Sequence, residues 1–406
     1  MGFPSPKWRP VLVFVLGLVS LTANAQGRPA VEEVNDFALR LYDKLSTRDA
    51  ANNVMFSPLS VAAAFSVVHL GANGTTRKQL EDTFGFGNKD VADELLRGNG
   101  SALVLATPDD GIDFLAASDL FLQDGFDVAL SFKIRLTKTH SKAPKFVNFT
   151  TDPEGSRRII NEFVNASTRG NINELIPKGA VDEVTRMVLA NAVFFEAGWS
   201  TPFDSNKTFP MQFRAFGVNR KVDMMTQETR LKLVPFVDSR VLELPYGNGA
   251  ASMVIVLPNT DGKEAFLKLE EDLRGIDLTA LLNETRTTKV KVFLPRFQVE
   301  GTADLTEVLP KLGVKDLFSQ TGADLSELSR GEGLYISSAF HTAKVMVDEK
   351  GTTASAATGA AASSKIFVEP EEFKANRPFV YFIIDNASKV ILFMGNLRGL
   401  PQEIPS

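Results

Sequence analysis

Three histidines, His69, His140 and His341, are the whole stock of imidazole in this chain, and it has no cysteine. Thiol catalysis, cysteine-bound zinc and a disulfide framework are therefore excluded. So little imidazole leaves scant material for a histidine-based metal site or a Ser-His-Asp triad. No Gly-x-Ser-x-Gly run announces a hydrolase nucleophile, which counts against a secreted hydrolase. Gly98-Asn99-Gly100 and Gly247-Asn248-Gly249 each lack the third glycine of a dinucleotide-binding turn. No metal and no cofactor is expected. Lys365 stands out by its isolation, being the only basic residue between Lys350 and Lys374. On its own it reads as a solvated surface lysine.

What precedes Lys365 is as informative as the lysine. All fourteen residues of 351–364 are Gly, Ala, Ser or Thr. A flexible linker is the simple reading. Only 42 residues follow residue 364, however, about the lower limit for a domain that stands alone without staples. Those residues carry two runs of core-grade hydrophobicity, so a loop within one domain is the better reading. Read with period two, Thr352, Ala354, Ala356, Thr358, Ala360 and Ala362 share one face, with Thr352 first. Neither face holds a proline to break a ladder or a charge to bury. The loop is therefore able to become a central strand, although alanine also permits a helical turn in its free state.

The elements that must hold this loop are legible in outline. Val34, Phe37, Ala38, Leu41 and Leu45 recur at helical spacing. Ser57 can cap a second helix with Pro58 at its first position, and Val61 to Leu70 is apolar nearly all round, as in a buried central helix. Thr76 followed by Gln79 reads as a capping box opening a third helix. A further helix is expected over 159–167, with Ile160, Phe163 and Val164 inward. Strands dominate the later half: 184–195, with Asn191 inside an apolar run; 251–257, continuous and apolar, as in a strand covered on both faces; 289–294, alternating. Residues 379–384 and 390–394 read as a hairpin. Helices crowd the first part and strands the second, which argues an α+β fold.

The chain has 406 residues and a net charge of −5, with no basic footprint for nucleic acid. Lys7 and Arg9, the apolar run 11–21 and Ala23-Asn24-Ala25 read as a secretory signal peptide over 1–25; a buried N-terminal strand is the alternative. The run is too short to span a bilayer, and nothing later is long and apolar enough to anchor the chain, so no membrane partner is expected. A secreted protein beginning at Gln26 fits the seven Asn-x-Ser/Thr sequons at Asn73, Asn99, Asn148, Asn165, Asn206, Asn283 and Asn386. Without disulfides it must rely on a large apolar core.

Five ordered segments together resemble the serpins, the serine-protease inhibitors that act by loop insertion. Glu349-Lys350-Gly351-Thr352-Thr353-Ala354-Ser355-Ala356 is similar to the serpin hinge. The run 373–383 is similar to the signature beyond the reactive loop, 53–60 to the opening of the central helix, 191–199 to the segment leading into the central sheet, and 392–395 to the last strand. The resemblance spans about residues 31–400, and its finer likeness is to secreted arthropod serpins. Glu196-Ala197 departs from a common Lys-Gly pair. The acidic, Gly-rich 93–113 region stands where heparin-activated members carry a basic helix, so no heparin site is expected.

The resemblance implies helices around a large central sheet with smaller sheets, a single domain over 26–406, and a reactive loop at about 349–373. Seventeen residues counted from Glu349 end on Lys365, so the implied scissile bond is Lys365-Ile366; the isolated lysine agrees, since a trypsin-like specificity pocket holds an aspartate that pairs a lysine, and Phe367, with a chymotrypsin-like target, is the alternative if the register slips by two. It further implies a monomeric suicide substrate, not an enzyme, that a trypsin-like serine protease cleaves and to which the protease stays covalently attached. Ser57, Ser60, Asn191 and His341 match a polar cluster beneath the opening strands, Glu349 and Arg296 a charge pair at the hinge, and Trp199 an aromatic beside it, unless it is only core. A non-inhibitory carrier or storage member is the alternative; bulky, charged or proline residues in the hinge would favour it, and 351–356 has none.

Overall fold

The computed structural model describes residues 30–48, 52–87, 112–140, 143–276, 278–283, 286–331, 333–350 and 369–399. The expected leader 1–25, Asn99, and the stretch 351–368 with Lys365, Ile366 and Phe367 lie outside the described residues.

In chain order the first half runs α1 (Ala30–Arg48), β1 (Met55–Phe56), α2 (Pro58–Gly71), α3 (Gly74–Phe84), β2 (Ile112–Gln123), α4 (Leu130–His140), β3 (Lys145–Val147), α5 (Pro153–Ser167) and β4 (Met187–Ala197). The second half runs β5 (Phe209–Ala215), β6 (Val218–Phe236), β7 (Ser239–Tyr246), β8 (Ala251–Pro258), α6 (Lys263–Asp272), α7 (Leu278–Asn283), β9 (Thr287–Pro295), β10 (Phe297–Asp304), α8 (Leu305–Val308), β11 (Ser338–Val347), β12 (Glu371–Lys374), β13 (Phe379–Asp385) and β14 (Ile391–Leu397).

Local chemistry sets several of these boundaries. The Ser57 hydroxyl accepts the Ser60 amide N–H, and Pro58 stands at the start of α2. That helix is buried over nearly its whole length, as its all-round apolar sequence requires. The third helix starts two residues before the expected capping box. Asn73 caps it through Gly74. Thr76 and Gln79 point elsewhere: the Thr76 hydroxyl accepts from the Asp324 N–H, and the Gln79 carbonyl oxygen accepts from the N–H groups of Lys315 and Asp316. Likewise α5 starts earlier than its apolar spacing indicates, because Asp152 caps Gly155 and Pro153 follows. Ile160 and Val164 are buried, Phe163 is half-buried and Ile159 faces solvent.

Among the described residues the strands form two sheets. One has nine strands, ordered β1-β14-β13-β8-β7-β6-β9-β12 with β5 paired to β6. Its centre, β8, β13 and β14, is buried throughout, and β13–β14 is the expected hairpin. The other has five strands, β10-β11-β4-β2-β3. The inner face of the five-stranded sheet joins the main core with α1, α2 and the nine-stranded sheet. A second, smaller core lies on its outer face, where Phe121, Val188, Ala190, Ala192 and Phe340 meet Ile160 and Val164 of α5 and the segment that follows it.

Candidate functional site

Strands β4 and β11 are the centre of the five-stranded sheet, and they run parallel. Eight residue pairs join them, from Ser338–Val188 to Val345–Phe195. A parallel ladder is slightly less stable per residue than an antiparallel one. A strand folded back from the end of β11 would run antiparallel to β11 and to β4 alike. Insertion there would exchange one parallel pairing for two antiparallel ones.

The inner side of this seam is tied by one polar cluster. His341 and Asn191 are direct partners across it. The His341 Nε2 accepts the backbone N–H of Ser57 at 2.9 Å, so the proton sits on Nδ1 and is donated to the Asn191 carbonyl oxygen at 2.5 Å. The Asn191 amide donates to the Ser60 hydroxyl at 2.8 Å, the Ser60 N–H to the Ser57 hydroxyl at 3.3 Å, and that hydroxyl to the Leu392 carbonyl at 2.6 Å. All four residues are buried, and a buried polar group must find such partners. Burial lowers the His341 pKa to about 3. Ser57 and His341 are not a nucleophile and its base. The ring takes a backbone N–H, and the hydroxyl points to a carbonyl. The cluster locks two strands and the start of α2 in one register. Placing a strand between β4 and β11 would set them about 9.6 Å apart, twice the strand spacing, and break the His341–Asn191 contact.

The outer side of the seam is strapped. The ammonium of Lys344 on β11 donates to the Asn171 carbonyl, and the Ser338 hydroxyl to the Ala180 carbonyl. The strap between these points is held to α5 by buried Asn161, whose side chain accepts the N–H groups of Leu175 and Ile176 and donates to the Ile176 carbonyl.

Where β11 ends, the chain is latched. The Trp199 indole donates to the Asp348 carbonyl at 2.8 Å and its backbone N–H to the Lys350 carbonyl at 3.3 Å; its ring stacks on Tyr246 at 4.3 Å between centroids. Trp199 is therefore more than core filling. The Phe203 N–H donates to the Glu349 carbonyl. The Glu349 carboxylate accepts the Thr208 hydroxyl at 2.6 Å and lies 3.4 Å from Arg296, an ion pair without hydrogen-bond geometry. The structure thus brings together Trp199, Arg296 and Glu349, and separately Ser57, Ser60, Asn191 and His341, as the sequence reading grouped them. Lys350 is exposed at the end of the latch. The rest of the hinge lies outside the described residues. Thr208 and Phe203, more than 140 residues before Glu349 in sequence, were not anticipated, and no local motif marks them.

A family model described as Serpin (serine protease inhibitor) matches residues 32–399. The chain belongs to the serpin family. It is 36% identical over 376 residues to the leukocyte elastase inhibitor of Bos taurus, covering 89% of this chain and 97% of that protein, and 35% identical over 375 residues to the Homo sapiens protein of the same name, with the same coverage. Among solved structures, uncleaved ovalbumin superposes with a TM-score of 0.81 at 26% identity, covering 91% of this chain and all of that one. Serpin48 of the insect Tenebrio molitor, described as highly specific, gives 0.79 at 27% identity, covering 93% of this chain and 100% of that chain. The two-sheet α+β fold is that of a serpin, and the family is one of serine protease inhibitors.

Six sequon asparagines fall among the described residues. Asn73, Asn148, Asn206 and Asn283 are exposed, while Asn165 and Asn386 are half-buried. Asn386 commits both amide hydrogens inward, to the Gly249 carbonyl and the Ser252 hydroxyl, so a sugar there would displace a contact of the fold.

Proposed function

We propose that this serpin is a secreted, monomeric suicide-substrate inhibitor of a trypsin-like serine protease, with 26–406 as one domain, 349–373 as the reactive segment and Lys365-Ile366 as the bond attacked. The observation that carries this reading is the parallel seam between β4 and β11, with a latched hinge at its mouth and an all-small strand's worth of sequence directly downstream. The protease's serine oxygen adds to the Lys365 carbonyl carbon. The Lys365-Ile366 bond breaks, the Ile366 amine leaves with a proton from the protease's histidine, and an ester joins Lys365 to the protease. Hydrolysis of that ester would free the protease. Insertion of the cut loop competes with it, and fourteen residues at 3.3 Å each reach about 46 Å, enough to carry the tethered protease along the sheet. The hinge residues 351–356, small and uncharged, suit this role better than a carrier's.

A second reading rests on the names of the relatives. Leukocyte elastase inhibitors point to an apolar or small specificity pocket, which would accept Phe367 or its small neighbours and not a lysine. Lys365→Ala decides between them. The variant should lose trypsin inhibition by about a hundredfold or more through loss of the charged pocket contact, while keeping its thermal midpoint. Unchanged inhibition of trypsin, or a covalent adduct whose fragment mass places the cut after Phe367, would move the reactive bond. Absence of an adduct with any Lys/Arg-specific protease would remove the trypsin-like assignment.

A further inference from the structure

Helix α4 carries two apolar stripes where one suffices. Phe132 and Leu136 face the core and are buried. Leu130 and Ile134, one turn apart on the opposite side, are 72% and 46% exposed, and Leu130 is the most exposed large hydrophobic among the described residues. At about 100° per residue, Lys133 and Lys138 flank this outer stripe on its two sides. Both are exposed, and no carboxylate among the described residues pairs with either. The Val128–Ser329 bridge brings exposed Arg330 beside the start of the helix. Of the acids nearby, Glu327 is paired with Arg135, and exposed Asp127 lies at the Ser329 end, before the helix begins. A chain of net charge −5 thus presents, along the helix itself, an aliphatic ridge flanked by two lysines.

We propose that this face of α4 docks on an anionic phospholipid surface. Two aliphatic side chains are too small a patch for a stable protein interface, which takes about 800 Å² per partner. They suit shallow insertion at the headgroup boundary. The lysine stems lie along the same ridge and carry their ammonium groups out to the phosphates, in the manner of snorkelling side chains. Sign complementarity selects anionic over zwitterionic lipid. No helix among the described residues is long and apolar enough to cross a membrane, and none is needed for surface contact. The expectation of no membrane partner, which rested on the lack of a spanning run, does not reach this mode. The inference is independent of the reactive bond.

The test is co-sedimentation of the mature chain with vesicles of phosphatidylserine and phosphatidylcholine, against vesicles of phosphatidylcholine alone, at low and physiological salt. The chain should pellet with the anionic vesicles only, and salt should release it. Leu130→Ser with Ile134→Ser, and separately Lys133→Glu with Lys138→Glu, should each lower the partition coefficient about tenfold or more. All four positions are exposed, so thermal midpoints should stay at the wild-type value. A chain that stays in the supernatant with anionic vesicles at low salt would overturn the proposal. So would equal binding to phosphatidylcholine alone, or wild-type binding by both double variants; a protein partner for this face would appear as the first of these results.

Discussion

At His341 the two ring nitrogens have different work. Nε2 accepts from the Ser57 backbone and Nδ1 donates to Asn191, so a second proton would evict a hydrogen bond as well as bury a charge. Its folded pKa of about 3 lies below the ordinary value of 6.5. The unfolded chain therefore takes up a proton below about pH 6.5 that the folded chain refuses until about pH 3. The stability from neutral His341 is whole above pH 6.5 and erodes by about 1.4 kcal/mol per pH unit as pH falls through that window. His341→Gln should lower the thermal midpoint at pH 7.5, and its gap from wild type should narrow steadily toward pH 4. Calorimetry of both proteins across this range checks it; a constant gap would mean that the ring does not stay neutral in the fold. The polar cluster was legible in the sequence only through family likeness. Ser57, Ser60, Asn191 and His341 are scattered along the chain, and no spacing rule unites them. The Ser57 cap, being local, could be read directly from Ser57-Pro58. The Thr76–Gln79 pair shows the converse, a local motif whose side chains were recruited by distant backbone.

At the scale of elements, the seam is guarded on both faces by different devices. The polar cluster closes the inner side, while α5 and its strap close the outer side through Asn161, Lys344 and Ser338. Opening must release both. Asn161→Ala would strand two buried N–H groups, at about 1–3 kcal/mol for each group left without a partner, while the Ile176 carbonyl keeps the Arg157 guanidinium. The variant should melt several degrees lower, and amide exchange over 168–181 should quicken ahead of exchange in β8 and β13. Equal protection in wild type and variant would mean that Asn161 is not what holds the strap, leaving apolar packing and the Arg157 contacts to Glu174 and the Ile176 carbonyl. Sequence periodicity found α5 and the strands, because each shows its buried face within a few residues. It gave no sign of the strap, whose hold depends on carbonyl groups, and every residue has one. The same limit hid Thr208 and Phe203, which latch Glu349 from a turn that has no pattern of its own.

At the scale of the whole molecule, the proposed inhibition draws on the five-stranded sheet. Two antiparallel pairings are available in place of one parallel pairing, and the segment able to make them begins at the latch. Coarse composition already disfavoured a thiol enzyme, a secreted hydrolase and a nucleic-acid binder. The architecture adds a place for the loop to go. The central claim is that the loop enters the seam between β4 and β11 with Thr352 facing inward, and the inhibitor-to-protease ratio needed for complete inhibition of trypsin tests it most directly. Thr352→Arg would carry an unpaired guanidinium beneath the sheet on insertion, a burden of several kcal/mol, while leaving the free loop solvated and cleavable. Insertion would then lose its race against hydrolysis of the ester. Thr352→Arg should raise the ratio severalfold and leave cleaved inhibitor beside active protease, whereas Thr353→Arg, on the opposite face, should stay near the wild-type ratio. An unchanged ratio for Thr352→Arg, or an equal rise for both variants, would contradict insertion in this register.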